Sequence, residues 1–254
     1  MLQRGKKRLK RLFNALGVDV RWHVRRPRHA LATLLDLYGV DMIFDVGANA
    51  GSSGEYLRNI GFAGDIVSFE PVKELFVQLQ RRARTDPRWR CENLALGDTQ
   101  GEGVIHVSGV GGVFSSFLPM TDELTARAPE LRATSHESVS ISTIDGVMAR
   151  HYPRGDRLFL KLDVQGYERQ VLQGAQESIS RIVGMRVEVS VVESYAEEVL
   201  IYEMLPFLYR LGYRLTSIEH VWSNEITQEV YQLDATMFRT DKVSGPTRRD
   251  LTSG

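Results

Sequence analysis

The sequence is poor in cysteine, and this scarcity excludes several kinds of site. Cys91 is the single cysteine among 254 residues, so the chain has no intrachain disulfide, no cysteine-based zinc site and no Cys-x-x-Cys redox pair. Such a composition is consistent with a reducing compartment. Cys91 itself lies in an apolar, strand-like stretch, where we expect a small core residue rather than a nucleophile.

Long apolar segments and metal-binding histidine patterns are also missing. No apolar run reaches the roughly 18 residues of a transmembrane helix, and the N-terminus lacks the apolar region of a secretory signal. We therefore expect a cytoplasmic protein. The six histidines are scattered, with no H-x-H or H-x-x-x-H spacing, so we predict no metal site, and an aspartate-based magnesium site stays open as an alternative.

Positive charge is concentrated at the start of the chain. The formal net charge is zero, yet residues 1–28, the basic N-terminal segment, carry ten lysines or arginines and one acid, which leaves +9 there and −9 in the remainder. Four apolar residues recur there at helical spacing: Leu9, Leu12, Phe13 and Leu16. This pattern predicts a basic amphipathic helical extension over residues 1–40. Three interpretations remain: attachment to an anionic membrane surface or acidic partner, packing on the domain, or an organelle transit peptide.

Beyond this segment, short apolar runs alternate with amphipathic helical patterns. Continuous apolar runs are typical of buried parallel strands, and repeated βα alternation predicts an α/β fold, Rossmann-like, with a mainly parallel doubly wound sheet. In such a sheet, ligands bind outside the carboxyl ends of the strands. The predicted strands are 42–46, 65–69, 90–95, 103–107, 139–144, 157–162, 183–192, 213–217 and 234–239, and the predicted helices are 29–38, 52–60, 72–84, 167–175 and 196–211.

One stretch of the chain shows no sustained period. Residues 108–138 contain several glycines and prolines, which predicts a long loop with at most one short helix, and long loops are often functional lids. Within it, the FSSF sequence at 114–117 combines hydroxyls with aromatic rings, a mixture suited to a sugar or lipid acceptor. Ser115 and Ser116 are therefore candidate substrate-binding residues, and a loop anchored by two phenylalanines is the alternative.

The first predicted strand runs into a glycine-rich turn, DVGANAGSSG. Glycines let a chain turn tightly and approach a ligand closely, and the helix that follows presents free N–H groups. The G-x-G-x-x-G of a dinucleotide site is absent, which disfavours pyrophosphate and favours a nucleotide-like ligand without phosphates. S-adenosylmethionine is such a ligand, and Asp45 can attract its ammonium group. The candidate cofactor-binding residues in this turn are Asp45, Gly47, Asn49 and Gly51.

Residues at the next strand ends extend the candidate nucleoside site. Glu70 ends the second strand, where a carboxylate can accept hydrogen bonds from both hydroxyls of a ribose. The third strand is followed by NLALGD, which places Leu96 to pack on an adenine ring and Asp98 to accept from the adenine amino group. Gly97 and Asp98 also form an ordinary turn sequence, which is the alternative for this last residue.

The motifs occur together and in a fixed order: FDVGANAGSSG, FEP, NLALGD, STIDG, LFLKLDVQGYE and the late DATMF. Over residues 42–239 the chain thereby resembles the FkbM-type methyltransferases. The resemblance implies a class I methyltransferase domain over residues 41–240, S-adenosylmethionine as cofactor, and O-methylation of a sugar, a glycolipid or a polyketide-type natural product. One departure is Gln165-Gly166, where the family more often has Glu-Gly. The remaining residues, 241–254, are expected to be a disordered tail.

Methyl transfer to a hydroxyl needs a positioned acceptor and a general base within hydrogen-bond reach of it. Asp163 ends the fourth core strand, between the expected methyl donor and acceptor, and is the first candidate for this base. Lys161 and Glu168 flank it as candidate substrate-binding residues. Lys161 and Asp163 share a strand face, so the ammonium can hold the carboxylate ionised or bind the acceptor, and a structural salt bridge is the alternative.

Two other residues are candidate catalytic groups. Glu188 lies inside a strongly apolar strand, where a buried acid needs either a partner or a purpose, and Arg186 on the same strand face is the simplest partner. His220 comes just after the strand at 213–217, and a histidine suits general-base work near neutral pH.

Two alternative functions stand beside the methyltransferase hypothesis. The first is an NAD(P)-dependent Rossmann oxidoreductase, which the missing G-x-G disfavours. The second is a non-catalytic protein that binds a membrane or nucleic acid through its basic segment, which the intact glycine turn and Asp163 disfavour. For the methyltransferase we expect a small-molecule, glycan or glycolipid acceptor, no nucleic acid, and an anionic membrane surface as a candidate contact of residues 1–28.

Overall fold

A computed structural model describes residues 30–109 and 111–243 of the chain. The basic N-terminal segment and its predicted amphipathic helix lie outside the described residues, as do positions 244–254 of the predicted disordered tail. The described chain forms a seven-stranded central sheet covered by helices on both faces, with a three-stranded sheet beside it. No helix within this part of the chain has both the length and the apolar character needed to cross a membrane.

The described residues form ten strands and seven α-helices. The strands are β1 (Met42–Val46), β2 (Asp65–Phe69), β3 (Trp89–Glu92), β4 (Ala95–Leu96), β5 (Gly101–Ser108), β6 (Ala133–Ser142), β7 (Leu158–Leu162), β8 (Ile182–Ser190), β9 (Tyr213–Ser223) and β10 (Val230–Arg239). The α-helices are α1 (Ala30–Leu37), α2 (Ser52–Asn59), α3 (Lys73–Ala83), α4 (Asp122–Arg127), α5 (Ile144–His151), α6 (Glu168–Gln173) and α7 (Ile201–Arg210). Short 3-10 helices occupy Pro129–Leu131, Ile179–Arg181 and Thr240–Lys242.

The order of strands in the central sheet is β3-β2-β1-β7-β8-β10-β9. The first five of these run parallel, and β10 is antiparallel to both β8 and β9. The mainly parallel, doubly wound α/β sheet predicted from the sequence is confirmed. Strand order reverses between β1 and β7, and a crevice outside the carboxyl ends at such a switch point is where open α/β sheets bind ligands.

β1 is buried along its whole length because helices cover both faces of the sheet. Successive side chains of a strand point to opposite faces, so one short apolar run contributes to two cores. Ile43 belongs to the core that contains Leu57 of α2 and Leu79 of α3, whereas Phe44 belongs to the core built with α5, α6 and α7. Cys91 packs, half-buried, against the first of these cores, which agrees with the structural role expected for it.

Helix α1 is buried against this domain, although it lies within the predicted extension over residues 1–40. Leu31 and Leu35 enter the core that also contains Phe238 of the last strand. The ring of Tyr38, just after the helix, stacks on Phe238 with 4.4 Å between ring centroids. The helix predicted at 29–38 is therefore present. It packs the residues that precede β1 against the last strand, β10.

The small sheet has the order β4-β6-β5. Its strand β6 overlaps the end of the stretch 108–138, so the prediction of a loop there is wrong in part. That stretch contains α4 and a 3-10 helix, and from Ala133 onward it is β6, antiparallel to β5. β6 begins with polar, largely exposed residues and therefore lacks the apolar alternation that marks a strand. It ends at Ser142, short of the predicted 144, because the Thr143 hydroxyl accepts from the Gly146 N–H (3.1 Å) and starts the unpredicted α5.

Several predicted boundaries also shift. The strand predicted at 90–95 divides into β3 of the central sheet and β4 of the small sheet. The helix predicted at 196–211 begins only at α7, after irregular residues that include Glu197 at a φ of 64°. The last two strands are longer than predicted because they pair with each other in an antiparallel hairpin, and this pairing extends strand structure into polar sequence.

Candidate active site

A cavity of about 420 Å³ opens at the carboxyl ends of β1, β2, β4 and β7, where strand order reverses. Its volume falls within the range of small-molecule sites, about 300–1,000 Å³. One side is lined by the glycine-rich turn, Glu70 and Leu96. The other side is lined by Glu188, by the loop after β7, by the β9–β10 hairpin, and by residues 112–117, which we call the wall segment.

The glycines of the glycine-rich turn are required by close contacts with neighbouring elements as well as by the cavity. Gly47 has a φ of 73°, and a Cβ at this position would lie 1.8 Å from the carbonyl oxygen of Asp163, so glycine is required where β1 and β7 end side by side. Gly47 and Asn49 line the cavity. Gly51, at a φ of 93°, is the N-cap of α2; a Cβ at this position would lie 2.9 Å from the Leu79 side chain, and Gly51 does not line the cavity.

Gly47→Ala is expected to lower the free energy of unfolding by about 2–5 kcal/mol, because the new methyl meets the Asp163 carbonyl and the left-handed backbone adds strain. Gly61→Ala is the matched control, since Gly61 has a φ of 96° with open space where the methyl would lie. It should cost only about 1–2 kcal/mol. Urea denaturation measures both, and equal costs would show that contact with β7 does not require a glycine at 47.

Both carboxylate oxygens of Glu70 accept hydrogen bonds from main-chain N–H groups. The N–H of Asn49 donates to Oε2 at 2.8 Å, and the N–H of Val72 donates to Oε1 at 2.9 Å. The side chain is buried and lines the cavity. Burial raises the pKa of Glu70 to about 7, against the opposing effect of these two hydrogen bonds. The charge of this carboxyl therefore changes near neutral pH.

The two residues expected at the adenine have different positions. Leu96 is buried and lines the cavity next to the Glu70 side, as expected for an apolar contact to a flat ring. Asp98 is exposed, accepts a hydrogen bond from the hydroxyl of Thr99 at 3.3 Å, and does not line the cavity. The turn is the simpler explanation for Asp98.

Asp45 is fully buried beneath the turn and does not line the cavity. In the sheet register it lies between Ser68 of β2 and Lys161 of β7, so the three side chains share one face. Its carboxylate accepts from the Ser68 hydroxyl at 2.9 Å and forms an ion pair with Lys161 at 3.4 Å. Asp45 therefore acts on the site through Lys161, and direct contact with a cofactor ammonium is not supported by this position.

Asp163 and Glu188 both line the cavity and are bridged by one side chain, Gln165. The amide nitrogen of Gln165 donates to Oδ1 of Asp163 at 2.9 Å and to Oε2 of Glu188 at 2.8 Å. Lys161 donates to Oδ2 of Asp163 at 3.2 Å and to the Gly47 carbonyl at 3.0 Å. The expected pairing of Lys161 with Asp163 is present, and Lys161 itself lies behind the cavity surface.

The two carboxyl groups have different electrostatic surroundings. Burial, followed by the charges of Asp163, Glu168 and Asp234, raises the pKa of Glu188 well above its ordinary value, with Lys161 opposing. Burial alone would lower the pKa of Lys161, but the carboxylates of Asp163 and Asp45 raise it, which keeps the ammonium charged. In contrast to Glu188, Asp163 therefore has a permanent cation at hydrogen-bond distance.

The other charged candidates lie outside the cavity. Glu168 is buried at the start of α6, where it accepts from the Val164 N–H at 2.9 Å, and burial raises its pKa to about 8. Its role is to hold the loop after β7 rather than to contact a substrate. His220 is exposed within β9, which continues past the predicted end of that strand, and it does not line the cavity. Arg186 pairs with Glu219 and Asp234, not with Glu188.

Ser115 and Ser116 line the cavity, yet their hydroxyls are used within the protein. The Ser115 hydroxyl donates to the Gly112 carbonyl at 2.7 Å and accepts from the Ser108 N–H at 3.2 Å. The Ser116 hydroxyl donates to the Gln165 carbonyl at 2.6 Å. Both serines fix the wall segment, so the alternative of an anchored loop describes them better than direct substrate binding.

Sequence reasoning singled out Phe114 and Phe117 in the FSSF segment but did not find their aromatic partners or Gln232. Phe117 and Tyr167 form one aromatic pair, with ring centroids 5.1 Å apart, and Phe114 and Trp222 form another at 6.0 Å. Gln232 of β10 donates to Oε2 of Glu188 at 3.2 Å. The Gln165-Gly166 departure pointed to one residue of this set, whereas nothing in the local sequence marks Trp222 or Gln232. Among the described residues, no three His, Cys, Asp or Glu side chains are grouped to hold a metal ion.

The sheet order and the cavity at its switch point define the Rossmann-like fold of class I methyltransferases. The methyltransferase FkbM domain matches residues 45–215, and the chain belongs to this family. Its cofactor is S-adenosylmethionine. This assignment confirms the resemblance read from the motifs and leaves the oxidoreductase and non-catalytic alternatives without support.

No curated protein matches the chain. Among solved structures, the chain is similar to an rRNA methylase from Streptococcus thermophilus (TM-score 0.43, 9% identity, covering 85% of this chain and 98% of that one). It is also similar to a TehB-like methyltransferase from Corynebacterium glutamicum (0.39, 13%, 93% and 97%). A third is TrmK from M. capricolum, in complex with S-adenosylhomocysteine (0.42, 6%, 83% and 68%).

Proposed function

We propose that this enzyme is an O-methyltransferase that acts on a hydroxyl of a sugar, a glycolipid or a related natural product. The observation that carries the proposal is the pair Asp163 and Glu188, which line the cavity opposite Glu70 and have different electrostatic surroundings. When two carboxyl groups in one site differ in this way, one suits proton acceptance and the other hydrogen-bond donation. Hydrogen-bond donation positions an alcohol, and proton acceptance activates it.

On the cofactor side, we propose that Glu70 accepts from the ribose hydroxyls and that Leu96 packs on the adenine. The Asn49 and Val72 N–H groups orient the Glu70 carboxylate, so its remaining lone pairs are available on the cavity side. Gly47 and Asn49 line the same side. When bound, the cofactor supplies an electrophilic methyl on a sulfonium, which needs no phosphate cradle, in agreement with the missing G-x-G.

On the acceptor side, we propose that Asp163 takes the hydroxyl proton as the new O–CH₃ bond forms and the S–CH₃ bond breaks. The Lys161 ammonium, 3.2 Å from Oδ2, holds the Asp163 side chain in place beside the cavity. Glu188, whose raised pKa favours its neutral form, donates a hydrogen bond to the acceptor. The rings of Phe117, Tyr167 and Trp222 offer apolar surface to the C–H face of a sugar.

The test combines cofactor binding with an acceptor panel. Calorimetry with S-adenosylhomocysteine is expected to show micromolar binding, and NAD should give no heat. Methyl incorporation, followed by mass spectrometry, is then measured with mono- and disaccharides, glycolipids, phenols, amines and RNA. Methylation confined to hydroxyl acceptors supports the proposal. Methylation of amines or nucleobases alone, or no binding of the adenosyl ligand, would overturn it.

We propose in addition that the basic N-terminal segment holds the enzyme at an anionic membrane surface. The charge of +9 in residues 1–28 supports this, because lysine and arginine side chains are attracted to the negative headgroups of anionic lipid. The protein should float with phosphatidylglycerol vesicles at low salt, and neither with phosphatidylcholine vesicles nor at about 0.5 M salt. Unchanged flotation after removal of residues 1–28 would contradict the proposal.

A further inference from the structure

Gln165 occupies a position that no role in methyl transfer has yet explained. It is buried, and it has a φ of 55° next to Gly166 at 92°. A non-glycine residue in this left-handed region is strained and persists only where its surroundings hold it. We propose that Gln165 is a positioning residue that ties the placement of Asp163 and Glu188 to the seating of the wall segment. This inference rests on the proposed function, in which both carboxyl groups serve the acceptor.

Both polar atoms of the Gln165 side chain have hydrogen-bond partners. Its two amide hydrogens go to Asp163 at 2.9 Å and to Glu188 at 2.8 Å, and its Oε1 accepts from the Tyr195 hydroxyl at 2.7 Å. An amide has two N–H donors on one planar nitrogen, so a single rigid group sets the separation of the two carboxyls. A carboxylate at this position would offer neither donor.

The main chain of Gln165 is hydrogen-bonded directly to the wall segment. Its backbone carbonyl accepts from the Ser116 hydroxyl at 2.6 Å, and that hydroxyl in turn accepts from the Leu118 N–H at 3.0 Å. Tyr195, which holds the side-chain oxygen, has its hydroxyl 3.2 Å from the carbonyl oxygen of Phe114. The main chain of Gln165 therefore depends directly on Ser116, whereas its side chain meets the segment only through the proximity of the Tyr195 hydroxyl to Phe114.

These contacts give the wall segment an effect on groups that it does not touch. If the segment moves outward, the Ser116 hydroxyl releases the Gln165 carbonyl, and the amide no longer holds Asp163 and Glu188 in a fixed arrangement. If the segment is seated, both carboxyls are oriented before an acceptor binds. Such preorganisation by supporting hydrogen bonds is how sites keep reacting groups in productive geometry.

The sharpest test compares two neighbouring serines. Ser116→Ala removes a contact to Gln165, whereas Ser115→Ala removes contacts to Gly112 and to Ser108 at the end of β5. The carboxyl ¹³C signal of Glu188 is titrated in the full-length protein and identified with Glu188→Gln. Ser116→Ala should raise the Glu188 titration midpoint by about 0.3–0.5 pH units, because weaker N–H donation destabilises the charged form. Ser115→Ala loosens the wall segment without removing a hydrogen bond to Gln165, so its effect on the midpoint should be clearly smaller. Equal midpoints in the two variants would overturn the proposal.

A second measurement examines Gln165 directly. Gln165→Leu is expected to raise the Glu188 midpoint by about one pH unit and to speed amide hydrogen exchange in the wall segment about tenfold. Gln232→Leu also removes a donor to Glu188 but makes no hydrogen bond to the wall segment, so exchange there should not change. Matching exchange rates in the two variants would contradict the coupling. If Gln165→Leu does not fold, the comparison of Ser116→Ala with Ser115→Ala still tests the proposal.

Neither measurement uses an acceptor, so the outcome is separate from that of the proposed function. A protein that methylates no hydroxyl would overturn the function and leave the titration difference between Ser116→Ala and Ser115→Ala in place. Conversely, if the protein methylates hydroxyls but the two serine variants have the same Glu188 midpoint, the proposed function stands and the role proposed for Gln165 is wrong. Affinity for S-adenosylhomocysteine, measured in each variant, verifies that the Glu70 side of the cavity is intact.

Discussion

Asp163→Asn is expected to lower the rate of methyl transfer by about 100-fold to 10,000-fold, the usual contribution of a general base. The substitution keeps the shape of the side chain, but its single amide oxygen can accept from only one of Gln165 and Lys161, and the amide cannot take the acceptor proton. Affinity for S-adenosylhomocysteine should change by no more than about threefold, because Asp163 is proposed to act on the acceptor. Single-turnover transfer to an acceptor from the panel measures the first quantity and calorimetry the second.

Asp156→Asn is the matched control for this variant. Asp156 precedes β7, so it is found at the opposite end of the strand from Asp163, and its side chain is largely exposed. The control should keep the wild-type rate. An Asp163→Asn enzyme that retained more than about a tenth of that rate would exclude Asp163 as the base, since a base contributes about two orders of magnitude or more.

The affinity for S-adenosylhomocysteine is expected to fall about tenfold between pH 8 and pH 6, because the ribose hydroxyls need an ionised acceptor at Glu70. The direction follows from the raised pKa of about 7 for this carboxyl: it is ionised above that pH, where it accepts two hydrogen bonds, and becomes protonated below it. Burial is the cause of the shift, so an exposed carboxylate would show no change in this range. Calorimetry at a series of pH values measures the effect.

Glu70→Gln should remove this pH dependence and weaken binding at pH 8 by about 10-fold to 100-fold, since two charge-assisted hydrogen bonds become neutral or are lost. Glu92→Gln is a suitable control, because Glu92 is an acid at the end of the neighbouring strand that pairs with Arg150 and does not line the cavity. A Glu70→Gln protein that kept the wild-type pH dependence would show that another group titrates.

The sequence was most informative where burial leaves little choice of residue. β1, β2 and the centre of β8 lie at or near their predicted positions because a parallel strand covered on both faces must be apolar along its length. β6 and the outer parts of β9 and β10 are partly exposed, so their polar residues are compatible with a loop, and only pairing with a neighbouring strand makes them strands.

The residues of the candidate site also differ in how well the sequence could identify them. Glu70 and Asp163 could be found because each follows a recognisable strand, and the ends of parallel strands meet at one edge of the sheet. Asp45 was assigned to the cofactor by the same reasoning, but it is the fourth residue within β1 and points to the face where Ser68 and Lys161 lie. One position along a strand reverses the direction of a side chain, and this separates a cavity residue from a buried one.

By itself, the sequence determined the family, the parallel sheet, the cofactor and the acidic strand ends, because all of these follow from local patterns and ordered motifs. Only the tertiary structure decided which side chains meet across long separations in the chain. Gln165 reaches Glu188 and Tyr195, and Gln232 reaches Glu188, through the arrangement of β7, β8 and the β9–β10 hairpin. Hydrogen bonds between distant elements leave no periodic signal in a sequence, since each partner needs only to be polar and correctly placed in the fold.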